Sequence, residues 1–299
     1  MGHEFTGHVH QVGSSIKNFQ VGDLVVAPFT LSCGACFYCR HGYSSRCVHA
    51  LPFGSSALDG GQAEYVRVPL ADTTAVIAPA GIKSEVLVLM ADIFPTGMFA
   101  AKNAFAHSTP EEIKESVVVL IGCGPVALCA LVNLVHYAPK HILAVDSVPS
   151  RLELARSLGA EPWNFMTDRA GLDARVKALT DGRGADAVVE VVGLSPALRM
   201  GYELVRPWGV ISSVGVHNGE IPWTGSEAYG KNVRVQMGRC PVRSMFEEAL
   251  DSLKRHQDKL GYAVVQGVCQ GRGRMLTAVQ VHGRQDHAAQ RGGRGLCPV

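Results

Sequence analysis

Apolar and polar positions change their spacing twice along the chain. From residue 1 to about 85, short apolar runs such as DLVVAPF and AEYVRVP alternate with turns rich in Gly, Pro and Cys. No helical period is sustained there, and the pattern predicts short strands in a small β domain. From about 86 to 260 the pattern becomes one of alternating elements. VLVLMADIFPTGMFAAKNA predicts one or two helices, broken at Pro95 and Gly97. SVVVLIG predicts a strand, PVALCALVNLVHY a helix and HILAVD a second strand. SRLELARSLGA predicts a helix with an apolar face at Leu152, Ala155 and Leu158, stopped by Gly159. ADAVVEVVG and GVISSVG predict two more strands, with a helix over PALRMGYELV between them. Strands alternating with helices of this length imply an α/β fold with a parallel, doubly wound sheet. Residues 261–299 differ again, with eight Gly, five Arg, one acidic residue (Asp286) and no useful period. They predict a disordered tail. An RNA-binding use of that tail is disfavoured, because Tyr262 is its sole aromatic residue.

One stretch has the length and hydropathy of a membrane span: Ser116 to Tyr137 contains no Asp, Glu, Lys or Arg. Its internal GCGP favours a buried strand, a glycine turn and a buried helix, which have the same hydrophobicity. The whole chain, 299 residues and 47% hydrophobic, suffices for one large or two ordinary domains. A net charge of +2 argues against nucleic acid or an anionic membrane as partner. The nine cysteines are clustered rather than spread as a disulfide framework, and no signal peptide is evident. A reducing, cytoplasmic setting is expected.

Four of those cysteines, Cys33, Cys36, Cys39 and Cys47, fall within SCGACFYCRHGYSSRC, with glycines at 34 and 42 that let the backbone curl. The spacing suits one tetrahedral zinc, and four thiolates leave no position for water or substrate. The metal is therefore expected to be structural. The competing reading is four reduced, partly buried thiols, and the spacing alone also suits a free-standing zinc module.

Gly122, Gly124 and Ala127, with Pro125 and Val126 between, form G-x-G-x-x-A where the strand VVVLI hands over to a helix. The first glycine permits the turn, the second lets the backbone approach a pyrophosphate, and the small third residue permits helix–strand contact. The helix N-terminus then faces the phosphates. Asp146, at the end of the next strand, stands where a carboxylate would accept from the adenosine 2′-hydroxyl of NAD and repel the phosphate of NADP. Its alternative role is a helix cap. Arg151, in the following helix, could meet a phosphate. His3 and Glu4 lie together in GHEFTGHV, and Asp92 is a lone carboxylate in an apolar stretch, which needs a partner or a metal. A catalytic zinc takes three protein ligands plus water or substrate. His3 and Asp92 suit two of them, with Glu4 as neighbour or occasional ligand. A surface histidine and a helix cap are the competing readings.

GHExxG, the four-cysteine lobe, DGGQAEYVRVP, DxxPTG and GxGPVA occur in that order over residues 2 to 260. Together they resemble the zinc-dependent medium-chain alcohol dehydrogenases, most closely the polyol, threonine and formaldehyde dehydrogenase-like branches. The resemblance implies a GroES-like β domain at 1–85, incomplete here, holding the structural zinc lobe at 32–47, and a Rossmann-like NAD-binding domain at 86–260. It implies that His3, Glu4 and Asp92 surround a catalytic zinc and that Thr96 lies beside the nicotinamide. Val192, Gly193, Val214 and Gly215 would line the cofactor. The implied reaction is hydride transfer between an alcohol, or an aldehyde or ketone in reverse, and NAD. Homo-oligomers are a further implication. Against the family pattern, the residues before GHE, with one cysteine ligand of the catalytic zinc, are not in this sequence. The tail does not match the family's β-rich ending. Two classes of function follow: an NAD-dependent dehydrogenase, or a zinc-holding, nucleotide-binding fragment without catalysis, including a mis-predicted gene product. Trp208, Trp223 and His217 follow or flank the late strands and could approach the cleft, but core or surface packing is the favoured reading.

Overall fold

The structure, a computed structural model, describes residues 1–260 and 278–282. It divides into two units, each described on its own. The first comprises Met1–Asp92, Pro241–Leu250 and a strand from the C-terminal segment. Its strands are β1 (Thr6–Val12), β2 (Leu24–Val26), β3 (Tyr65–Pro69) and β4 (Val76–Ile77). Alternate residues turn inward, so that Phe5, Val9, Val25, Leu31, Phe53 and Val66 share one core.

The second unit comprises Ile93–Cys240 and residues 251–260. Its sheet contains β5 (Val117–Ile121), β6 (His141–Asp146), β7 (Glu161–Asn164), β8 (Ala185–Glu190), β9 (Val205–Ser213) and β10 (Arg234–Met237). All neighbours are parallel, in the order β10-β9-β8-β5-β6-β7. The order reverses between β5 and β8, which creates the crevice where such sheets take ligands. All five residues of β5 are buried, as a central parallel strand covered on both faces requires. The uncharged run Ser116–Tyr137 resolves into β5, a turn and the helix Pro125–Tyr137. Among the described residues no helix is long and apolar enough to cross a membrane.

Strand β11 (Ala278–His282) pairs parallel with β1 and β3 in the first unit's sheet, in the order β3-β11-β1-β2-β4. The sequence reading expected no element there. The rest of the tail expected to be disordered, residues 261–277 and 283–299, lies outside the described residues.

A second difference concerns Pro95 and Gly97, which do not break their helix. The chain breaks at Asp92, whose φ of −152° ends a 3-10 turn over Val88–Ala91, and the helix Ile93–Ala104 then runs through both residues. Pro95 sits in the first turn, where a missing N–H costs nothing. Gly97 lets this helix meet the helix Pro125–Tyr137 backbone to backbone. A Cβ there would lie 2.5 Å from Ala130 N and 2.7 Å from the Cys129 carbonyl carbon. Gly97→Ala therefore sets a helix-propensity gain of about 1 kcal/mol against an overpacking cost of about 3 kcal/mol or more. Net destabilisation is expected in denaturant unfolding.

Candidate functional site

In the first unit, the short helix Phe37–Arg40 and the 3-10 turn Ser44–Arg46 fold the cysteine segment back on itself. The sulfurs of Cys33, Cys36, Cys39 and Cys47 all lie within 4.8 Å of one another. A tetrahedron with zinc–sulfur bonds of about 2.3 Å has edges of about 3.8 Å, so the four thiols fit the ion. Backbone amides reinforce the fit: Cys33 N and His49 N donate to Cys47 Sγ at 3.2 and 3.4 Å. Amides of Cys39 and Val48 draw the Cys36 thiol down to about 6, while burial pushes Cys39 up to about 12. Zinc must therefore displace protons to bind, so zinc affinity measured by competition should fall as pH falls. The lobe is fastened to the helix Val242–His256 near its start. Ser44 N donates to Ser244 Oγ at 3.3 Å and Ser244 N to Ser44 Oγ at 3.1 Å. Arg243 Nε donates to Thr73 O at 3.0 Å.

His3 and Asp92 come together: His3 Nε2 is 3.0 Å from Asp92 Oδ2 across 89 residues of chain. The hydrogen bond to Asp92 raises the His3 pKa despite the cost of burial. Glu4, the residue after His3, is half-buried. Among the described residues, the four cysteines are the one group of three or more His, Cys, Asp and Glu side chains placed to hold a metal.

In the second unit, Gly122 turns with φ +95° after β5, and its N–H donates to Val145 O at 2.8 Å. Gly124 precedes the helix Pro125–Tyr137 in extended conformation, and no side chain caps that helix. A Cβ at Gly124 would meet nothing within 4 Å, so open space lies before a helix N-terminus, as a diphosphate needs. Pro125, Val126 and Ala127 form the first turn, and Ala127 is fully buried.

Asp146 is not a helix cap. Val148 occupies the N-cap of Pro149–Ser157. The Asp146 carboxylate instead accepts from Cys123 N (2.8 Å), Ser147 N (2.7 Å) and Val148 N (2.9 Å). It thus ties the end of β6 to the glycine turn, and these three donors fill three of its about four acceptor positions. Arg151 Nη1 stands 3.9 Å from Asp146 Oδ2, half-exposed. Burial, with the Asp146 charge, pushes the Cys123 thiol up to about 12, so it stays protonated. Thr96 is buried in the helix Ile93–Ala104.

Val192 and Gly193 follow β8, and Val214 and Gly215 follow β9. The sequence reading singled out these four but missed Glu190, the fully buried acid that holds Val192 and Gly193. Glu190 accepts from Val192 N, Gly193 N, Ser213 Oγ and His217 Nε2 at 2.7–2.8 Å. Its signal was available: a lone carboxylate within AVVEVV needs partners, the reasoning applied to Asp92. Trp223 stacks on Tyr202 at 5.1 Å, and Trp208 lies on the surface.

Residues 125–255 match the zinc-binding dehydrogenase family and residues 1–78 the alcohol dehydrogenase GroES-like domain. The chain is 68% identical over 262 residues to zinc-type alcohol dehydrogenase B of Aspergillus flavus, spanning 88% of this chain and 61% of that protein. It is 54% identical over 229 residues to the medium chain reductase/dehydrogenase ucsI of Acremonium sp, spanning 77% and 78%. Among solved structures, alcohol dehydrogenase TADH from Thermus sp. ATN1 superposes with a TM-score of 0.76 at 32% identity, over 85% of this chain and 74% of that one. On these likenesses, with the cysteine lobe and the parallel sheet that accompany them, the chain belongs to the zinc-binding, medium-chain alcohol dehydrogenase family.

Proposed function

We propose that this chain is an NAD-dependent oxidoreductase that moves a hydride between an alcohol, or its aldehyde or ketone, and the nicotinamide ring. The observation that carries the reading is the glycine turn with open space at Gly124, flanked by Asp146, at the switch point of the sheet. The N–H groups of the turn and of the first helical turn hold the diphosphate. Asp146 takes the adenosine ribose through its remaining acceptor position, and its charge disfavours a 2′-phosphate. Thr96 flanks the nicotinamide, and the Val192–Gly193 and Val214–Gly215 loops line it. Zinc in the cysteine lobe is structural. His3 and Asp92 supply two of the three protein ligands a catalytic zinc takes, with Glu4 as acidic neighbour; such a zinc, when bound, supplies Lewis acidity. The acidic residue at the Asp92 position supports the polyol, threonine and formaldehyde dehydrogenase-like branch.

Titration of the purified chain with NADH and NADPH tests this. Saturable NADH binding, at least about tenfold tighter than NADPH because of the Asp146 charge, is expected; no saturable binding would refute the reading. That the four cysteines are, among the described residues, the one group placed to hold a metal favours a second reading, a zinc-holding nucleotide binder without catalysis. That reading expects one tightly held zinc per chain and no alcohol-dependent reduction of NAD. Two zincs together with hydride transfer would exclude it.

A further inference from the structure

We propose that Glu190, Ser213 and His217 form a buried polar clamp that sets the position of the two loops receiving the nicotinamide half of the dinucleotide, with His217 as a positioning residue for that half alone. The inference rests on the dinucleotide reading above.

Glu190 is the last residue of β8 and has no exposed surface. Its Oε1 accepts from Val192 N at 2.8 Å and Gly193 N at 2.7 Å, the loop leaving β8. Its Oε2 accepts from Ser213 Oγ at 2.7 Å, at the end of β9, and from His217 Nε2 at 2.8 Å, in the loop leaving β9. A carboxylate only accepts, so Nε2 of His217 carries the hydrogen. All four acceptor positions are filled, whereas Asp146 receives three donors. Glu190 therefore has no capacity to bind a ligand directly and acts through the backbone it holds.

The strand ends do not need this clamp. Backbone bonds already close the ladder there, from Val191 N to Ile121 O at 3.1 Å and from Val214 N to Glu190 O at 3.0 Å. The side chains fix what lies beyond the ladder, where the two loops cross at glycines. A Cβ on Gly215 would lie 2.2 Å from Gly193 N, and one on Gly193, at φ +82°, would lie 2.7 Å from Val216 N. The same loop reaches the dinucleotide turn, because a Cβ on Gly122 would lie 2.9 Å from Val192 Cγ2. Adenosine belongs over β6, where Asp146 stands, so the other half of the ligand falls over the ends of β8 and β9. The clamp's four hydrogen bonds all lie at those ends.

The test compares NADH with ADP-ribose, which lacks the nicotinamide, by calorimetry on the full chain. His217→Ala removes one donor to a charged group, and NADH affinity should fall about tenfold, with ADP-ribose affinity unchanged within about twofold. His217→Gln, whose amide nitrogen can take the place of imidazole Nε2, should restore most of the loss. If His217→Ala does not fold, Ser213→Ala, which keeps the imidazole, makes the same comparison. An equal loss for both ligands, or no loss for NADH, overturns the clamp and leaves the dinucleotide reading standing. A wild-type chain that binds neither ligand overturns both.

Discussion

Removing zinc from the cysteine lobe, with a chelator or through Cys47→Ser, is expected to lower the melting temperature of the first unit by roughly 10 °C or more. The lobe has almost no hydrophobic alternative to the metal. Its aromatic residues Phe37, Tyr38 and Tyr43 are 58%, 41% and 57% exposed. Its buried apolar cluster is Cys33, Cys47 and Leu70, with Cys36, Cys39 and Ala50 packed against them. Binding of a structural zinc is worth about 10–16 kcal/mol in small zinc domains. Loss of even 3 kcal/mol would shift a unit of this size by about 10–20 °C. Unfastening the lobe also strands the paired Ser44–Ser244 bonds. Thermal scans with and without chelator, with zinc release followed in parallel, measure the effect. Zinc release without a shift in melting would show that side-chain packing holds the lobe.

The second large effect separates binding from folding. Gly124→Val is expected to weaken NADH binding about 100-fold or more, roughly 2.7 kcal/mol, while leaving thermal stability nearly unchanged. The backbone at Gly124, φ −73° and ψ −179°, is open to any residue, and a Cβ there meets no protein atom within 4 Å. The new methyls would occupy the space into which a diphosphate must come to reach the helix N-terminus. Gly122→Val should behave in the opposite way. Its φ of +95° is strained for any side chain, and its Cβ would press on Val192 Cγ2 at 2.9 Å. Stability should fall there along with binding. NADH titration and denaturant unfolding on both variants check the contrast. Unimpaired NADH binding by Gly124→Val would place the diphosphate elsewhere.

Features carried by short spacing were legible without coordinates. Cysteines three residues apart among glycines specify a lobe that can close on one ion, because so short a segment has few ways to arrange four sulfurs. The change from an unbroken apolar strand to G-x-G-x-x-A and an apolar helix specifies a β–turn–α unit, because backbone sterics and helix ends act over a few residues. The break at Asp92 was misread because Pro disfavours a helix only beyond its first turn, and the propensity cost of Gly is outweighed where two helices approach closely. Here one lies in the first turn and the other faces a neighbouring helix.

Pairings across long stretches of chain were beyond the reach of residue spacing. Asp146 meets the amide of Cys123, His3 meets Asp92, and Glu190 meets His217 because strand register and loop crossings bring them together. The sequence by itself determined the residue types, the zinc lobe and the dinucleotide turn, since these depend on local sterics and the chemistry of near neighbours. Only the tertiary structure decided which buried carboxylate receives three donors and which is saturated with four. That distinction depends on counting donors delivered from separate strands, and no local pattern contains the count.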